Sequence, residues 1–401
     1  RYGVQLNSLG LTEQQPENNV YRILIEMLAV TLSKNARARA VQLPAWNEAL
    51  GLPRPWDQQW SMRMQQIMAF ETDLLEYEDL FDGNPTIEAK VARLKDEARH
   101  ELASLDAQGG AIEAIGYMKS RLVESNTQRL NKIASKETTV VGVNKFTTGE
   151  PSPLTAGDGG IMTVDPAVEQ DQVDRLNAWR CARDDASVAS ALRSLRAAAQ
   201  AGENIMPASI AAAKAGVTTG EWAAQMRLIY GEYRGPTGVA RGVSNQSEGL
   251  DEIREAVDLV SQKLGRRLGF LMGKPGLDGH SNGAEQIAAR ARDCGMEIAY
   301  DGIRLTPEQL IASVQEHQPH VIGLSILSGS HIPLVEDMMK RLQLAQLDNI
   351  PVVVGGIIPQ EDMIRLTAMG VAKIYTPKDF ELNAIMMDIV SLADPTDLAA
   401  E

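Results

Sequence analysis

The sequence predicts an α/β protein with a strand–helix layer first, a helical middle and a doubly wound parallel sheet last. Three observations predict it. Within residues 266–401, five apolar runs alternate with five helical patterns. Residues 1 to about 145 alternate short extended runs with long helical ones. Residues 167–234 are helical in pattern almost throughout. Alternating strands and helices build layered α/β structure.

The chain opens at Arg1 inside an extended run and reads as the carboxyl part of a longer polypeptide. "NNVYRILIEMLAVTLSK" (18–34) carries apolar residues at helical spacing, as do residues 54–76 and 86–105. "LGLPRPW" and "DGNPT" read as loops, and "VVGVNKF" (140–146) as a short apolar strand. From 147 to 166 the composition turns to Gly, Pro, Thr and Asp, which marks an exposed connection. In the helical middle, Thr218 or Thr219 caps a helix start, and residues 235–249 form a linker. The domains expected are 1–146, a helical linker region 147–265, and 266–401. Strands are expected at 267–272, 297–302, 321–327, 351–356 and 373–376. They are continuous apolar runs, as in a parallel sheet covered on both faces.

A chain of 401 residues exceeds the usual single domain, and 44% apolar content suffices for real cores. The net charge of −14 argues against a nucleic-acid or membrane-surface binder, though not against an anionic substrate in a local basic pocket. Cys181 and Cys294 have no metal-ligand spacing and suit a reducing cytoplasm. No apolar stretch approaches the roughly 18 residues of a membrane span.

Ligands of doubly wound sheets bind at the carboxyl ends of the strands. The special residues fall there: Asp278, His280 and Gly283 after the first strand, Ser325, Leu327 and Ser328 at the third, Gly355 and Gly356 after the fourth, Thr376 and Pro377 after the fifth. His280 stands two residues after Asp278 in "GKPGLDGHSNG". A carboxylate there fixes the imidazole tautomer and leaves the other nitrogen as a metal ligand. One histidine cannot hold zinc, which takes about four ligands, but it can complete a metal already held by a macrocycle. Gly276, Gly279 and Gly283 let the backbone pass close to a large flat ligand. His100, His317 and His320 read as surface or satisfied residues, and His331 as a helix-start or surface position. A phospho-receiver domain would need acids at the end of the first strand, where "FLMGKPG" has none.

In order on successive strand ends, Asp278-Gly279-His280-Ser281-Asn282-Gly283, Ser325-Ile326-Leu327 and Gly355-Gly356 resemble the cobalamin-binding signature of B12-dependent mutases and methyltransferases. The resemblance implies His280 as the axial ligand of cobalt and Asp278 as its partner. Lys274 matches a lysine that joins this relay in acyl-CoA mutases. It also implies a nucleotide-tail pocket lined by Ser325, Leu327, Gly355 and Gly356, with Gly279, Gly283 and Thr376 as further cofactor-binding residues. Upstream, "NSLGLTEQQPENNVYRILIEMLA", "NEALGLP" and "VVGVNKF" resemble adenosylcobalamin-dependent acyl-CoA mutases across nearly the whole chain. Methyltransferases commonly have an acid after the histidine, where this chain has Ser281.

The expected architecture is thus the C-terminal part of a (β/α)8 TIM barrel, a helical linker and a flavodoxin-like cobalamin domain. About 146 residues is roughly half of the ~250 a barrel needs, so the residues contacting the substrate thioester are expected outside this sequence. The reaction implied is a radical rearrangement. Homolysis of the cobalt–carbon bond yields an adenosyl radical that removes a hydrogen, the CoA-thioester group migrates, and hydrogen returns. The runs "RARAVQLPAW" and "LLEYEDLFDGNPTIEA" depart from methylmalonyl-CoA mutases and match ethylmalonyl-CoA mutases, with Ala38 and Ala40 making room for one more methylene. Arg37 and Arg39 contact phosphate or carboxylate, or are solvated. The partners implied are an acyl-CoA substrate and either a second copy or the N-terminal barrel portion. Methylmalonyl-CoA mutase, or a cobalamin carrier without activity of its own, are the alternatives.

Overall fold

The computed structural model describes residues 2–156, 160–162, 165–237, 239, 250–376, 379 and 381–398. The chain forms two compact units, Arg1–Met162 with Pro236–Glu401, and Thr163–Gly235. Among the described residues no helix is long and apolar enough to cross a membrane.

The first unit opens with a βαβ element. β1 (Tyr2–Gln5) and β2 (Ala38–Gln42) pair in parallel, with Gly3 opposite Ala40, and α1 (Asn18–Leu32) joins them. Asn19, Ile23 and Met27 form the buried stripe of α1, four residues apart as a helix face demands. That stripe packs with Leu6, Trp46 and two methionines of α2 (Pro55–Phe70). Pro55 starts α2, since its missing N–H would have no partner in the first turn. Asp57, fully buried, accepts from Trp46 Nε1 at 3.0 Å, Asn47 Nδ2 at 2.8 Å and the Arg54 guanidinium at 2.9 Å. Burial alone would raise this carboxyl, but those hydrogen bonds outweigh it and hold its pKa below the usual range. The network fixes the loop that carries "NEALGLP". α3 (Pro85–Asp106), capped by Asn84, buries none of its residues, and α4 (Ile115–Ala134) follows.

The strand expected at 140–146 does not form. Asn144 accepts from Val140 N and donates to Ile133 O and Thr138 O, each at 2.8 Å. Local side-chain hydrogen bonds displace the ladder. Gly142 and Phe146 turn the chain at positive φ, and one bridge from Val141 to Lys145 remains.

The second unit is helical: α5 (Pro166–Ala182), α6 (Asp185–Gln200), α7 (Met206–Lys214) and α8 (Thr219–Tyr230). Asp184 caps α6, and Thr218, not Thr219, caps α8 in a reciprocal box with Glu221. Arg183 grips Glu221 with two 2.7 Å bonds, one from each terminal nitrogen.

The remaining elements are α9 (Leu250–Leu264), β3 (Gly269–Gly273), α10 (Asn282–Asp293), β4 (Glu297–Ala299), α11 (Pro307–His317), β5 (Val321–Ile326), α12 (His331–Leu344), β6 (Val352–Gly356), α13 (Gln360–Ala368), β7 (Lys373–Tyr375), α14 (Leu382–Leu392) and α15 (Pro395–Leu398). The five strands expected from sequence form one parallel sheet in the order β4-β3-β5-β6-β7. Alternation along β3 sends Phe270 and Met272 to one core with α9, α10 and α14, and Leu271 to the other with α11, α12 and α13. The sheet's layer includes α9, whose Leu250, Ile253, Val257 and Val260 are buried there, although the sequence placed residues 250–264 in the linker. Most of the expected linker 235–249 lies outside the described residues, as does Pro377. Strand order reverses between β3 and β5, so the crevice at their carboxyl ends is the switch point where such sheets bind ligands.

Two predictions follow from this packing. A Cβ on Gly356 would sit 1.9 Å from the Ile326 carbonyl oxygen, whereas one on Gly355 meets nothing within 4 Å. Gly356→Ala should therefore cost at least the upper end of the roughly 1–3 kcal/mol of an overpacked site, and Gly355→Ala under about 1 kcal/mol. Equal urea midpoints for the two variants would contradict this packing. In the helical unit, Arg183 draws Glu221 from its ordinary 4.5 down to about 2. A depressed carboxyl stabilises fully above pH 4.5 and loses that contribution as pH falls toward 2. The stability gap between wild type and Glu221→Gln, followed by tryptophan fluorescence in urea, should shrink across that window; a constant gap would refute the pairing.

Candidate cofactor-binding site

β3 ends at Gly273, and the chain enters Lys274-Pro275-Gly276-Leu277-Asp278-Gly279-His280. Lys274 is fully buried, and its ammonium donates to Asp278 Oδ2 at 2.7 Å and to the Ser325 carbonyl at 3.3 Å. The Asp278 side chain is 3% exposed. Its Oδ2 also accepts the Leu327 amide at 3.1 Å, and its Oδ1 accepts the His280 amide at 3.0 Å and His280 Nδ1 at 2.6 Å. Four donors thus converge on one carboxylate. Burial would raise its pKa, yet the Lys274 ammonium and the two N–H groups of His280 hold it well below the usual range. Burial likewise lowers the Lys274 pKa, with Asp278 acting against it. An ionised carboxylate only accepts, so Nδ1 of His280 donates to it and, in the neutral ring, Nε2 holds the lone pair. The imidazole itself is 82% exposed.

Beside this turn lies a cavity of about 290 Å³ with mainly apolar walls. Gly283, Ser325, Leu327, Gly355, Gly356 and Thr376, all expected from sequence, line it. Leu327 joins the two features, since it lines the cavity and its amide holds Asp278. Thr376 is held by Asp379, whose Oδ2 accepts Thr376 N at 2.7 Å. Lys274, Asp278, Gly279 and His280 are not among the cavity walls. A Cβ on Gly279 would lie 3.1 Å from Arg304 Nη2, so the guanidinium fills the space beside that glycine. Gly276 serves its turn instead of a ligand, with φ of +83° and Leu334 packed 2.8 Å from where a Cβ would lie. Gly283 has open space on that side.

Asn126 and Leu130 of α4 and Gln286 of α10 also line the cavity, and sequence reading missed them. Their separation along the chain leaves no local signal. The loop after β2 reaches the same end of the sheet: Leu52 Cδ1 lies 3.1 Å from where a Cβ on Gly329 would be. Burial raises the pKa of Glu48 in that loop, against the pull of Ser8 and of His280.

The other histidines stand apart. His100 is exposed, with Nδ1 2.7 Å from Asp96 O. His317 is exposed at the end of α11. His320 accepts the Gly269 amide at 2.8 Å, and burial lowers its pKa. His331 starts α12 but is buried, not superficial, because Asp362 accepts or donates at its Nε2 at 2.8 Å. Arg37 and Arg39 are exposed.

The donor set suits a cobalt macrocycle. Among the described residues no three His, Cys, Asp or Glu side chains gather as a metal site. A single outward imidazole, oriented by a buried carboxylate, fits a metal whose other positions a corrin fills. The adjoining apolar cavity fits an organic tail.

Comparison with known proteins agrees. Residues 1–232 match the methylmalonyl-CoA mutase family model and 269–379 the B12-binding domain model. The chain is 71% identical over its whole length to the ethylmalonyl-CoA mutase of Cereibacter sphaeroides and spans 61% of that protein. It is 60% identical over 98% of its length to the ethylmalonyl-CoA mutase of Methylorubrum extorquens, of which it spans 57%. Identity to the methylmalonyl-CoA mutase of Escherichia coli is 32% over 97% of the chain and 55% of that enzyme. The chain therefore belongs to the methylmalonyl-CoA mutase family, with a B12-binding domain at residues 269–379.

Proposed function

We propose that this chain is the carboxyl-terminal part of an adenosylcobalamin-dependent isomerase that interconverts ethylmalonyl-CoA and methylsuccinyl-CoA. The identities of 71% and 60% to ethylmalonyl-CoA mutases, against 32% to a methylmalonyl-CoA mutase, support that substrate. One observation carries the cofactor role: Asp278 is buried between Lys274 and His280 while the imidazole faces outward beside an apolar cavity.

His280 would ligate cobalt through Nε2. Asp278 would hold the ring's tautomer and direction, and Lys274 would keep that carboxylate ionised. Gly283, Ser325, Leu327, Gly355, Gly356 and Thr376 would enclose the nucleotide tail. Bound adenosylcobalamin supplies a weak cobalt–carbon bond as the source of the radical. The residues of this chain bind, orient and exclude water. The groups that contact the thioester belong to the N-terminal barrel portion, with which this chain would pair; a second copy is the further partner. Free Cys181 and Cys294 fit a reducing compartment such as the cytoplasm.

Titration with cob(II)alamin tests the ligand. Wild type should show nitrogen hyperfine splitting from a protein imidazole in its electron paramagnetic spectrum, and His280→Ala should not. Splitting that persists in the variant would refute the assignment. Assay of the full-length protein with both acyl-CoA esters tests the substrate, and a clear preference for methylmalonyl-CoA would overturn the choice of ethylmalonyl-CoA.

A further inference from the structure

α10 begins two residues after His280 and supplies one wall of the cavity. Its start is unusual. Ser281 occupies the position where a serine normally accepts an amide of its own first turn, yet it makes no such bond. Its hydroxyl instead accepts from Lys119 Nζ of α4 at 3.1 Å. The same ammonium lies 2.6 Å from Glu285 Oε1, a side chain only 4% exposed. A cation at a helix N-terminus opposes the helix dipole, so this arrangement is not what α10 alone would select. One turn on, Gln286 donates to Val123 O at 2.9 Å and accepts from Thr127 Oγ1 at 2.8 Å. The start of the helix that follows the histidine is thus tied to α4 by an ion pair and three hydrogen bonds, while Asn126 and Leu130 of α4 also line the cavity.

We propose that Lys119 is a positioning residue for the cobalt-ligating turn: by holding Ser281 and Glu285 it fixes the first turn of α10, and with it His280 and the cavity wall. The inference rests on the reading of His280 as a cobalt ligand. Removal of the ammonium leaves a buried carboxylate without its partner, which forces the first turn of α10 to move. Ser281 adjoins His280, so that movement reaches the imidazole through one peptide unit.

Cob(II)alamin binding to the full-length protein tests this, with thermal melting of each variant as the check on folding. Lys119→Met should raise Kd about tenfold or more, as loss of groups that orient a metal ligand does. It should also give a mixture of spectra with and without imidazole splitting where wild type gives only the split form. Lys119→Arg, which keeps the charge, should bind within about threefold of wild type. Adding Glu285→Gln to Lys119→Met should recover part of the loss, because the stranded charge is gone. Wild-type Kd and a fully split spectrum in Lys119→Met would overturn the inference and leave the ligand reading intact, even if that variant melts at lower temperature. Absence of splitting in wild type would sink the ligand reading itself, and this inference with it.

Discussion

The structure around the site depends on one buried carboxylate. Asp278 accepts four hydrogen bonds on two oxygens, from Lys274, Leu327 and twice from His280. An ionised group with 3% exposure persists only where donors replace its water. Each donor does a second task. Lys274 also reaches the carbonyl of Ser325, so the first loop is bound to the third strand. The amide of Leu327 ties the end of β5 to the same oxygen. The Asp278 contacts therefore close the switch point of the sheet, and a change at this residue would loosen two loops together.

That closure explains why the cavity lies where it does. β3 and β5 are neighbours, and the strand order reverses between them. Gly323 of β5 and Gly355 and Gly356 of β6 are among the walls of the cavity there. The two glycines of β6 divide the work. Gly356 lets two backbones approach, as its missing Cβ would meet the Ile326 carbonyl. Gly355 has open space before it and lines the cavity. A Gly-Gly pair in a sequence hides this asymmetry, because only the neighbouring strand assigns each residue its reason.

The five strands were legible because each is a short apolar run bounded by turn residues, and doubly wound order follows from their alternation with helices. The Asp278–His280 pair was legible from its two-residue spacing, and Lys274 only through the resemblance to acyl-CoA mutases. What sequence could not supply is long-range. Thr127 meets Gln286 across 159 residues, and Lys119 meets Ser281 across 162. No periodicity links such positions. The false strand at 140–146 has the opposite cause: its apolar run was real, but Asn144 offered the backbone nearer partners. His331 does start a helix, one of the two readings its sequence allowed, but its burial was not legible because its partner, Asp362, is 31 residues on, in the next helix.

Contrast in exposure is the remaining physical signature of the turn. Within seven residues the side chains pass from 0% exposed at Lys274, through 3% at Asp278, to 82% at His280. His331, by contrast, is buried beside a half-buried acid, Asp362. At Asp278 and His280 the acid is dry and the ring is wet. A buried ion pair costs desolvation that a hydrophobic pair of similar size would not, so stability alone does not account for Lys274 and Asp278. Their arrangement does account for a ring whose Nδ1 is held by the buried acid while the imidazole stays exposed. An exposed imidazole held in one direction by a buried carboxylate suits the ligand role proposed for His280.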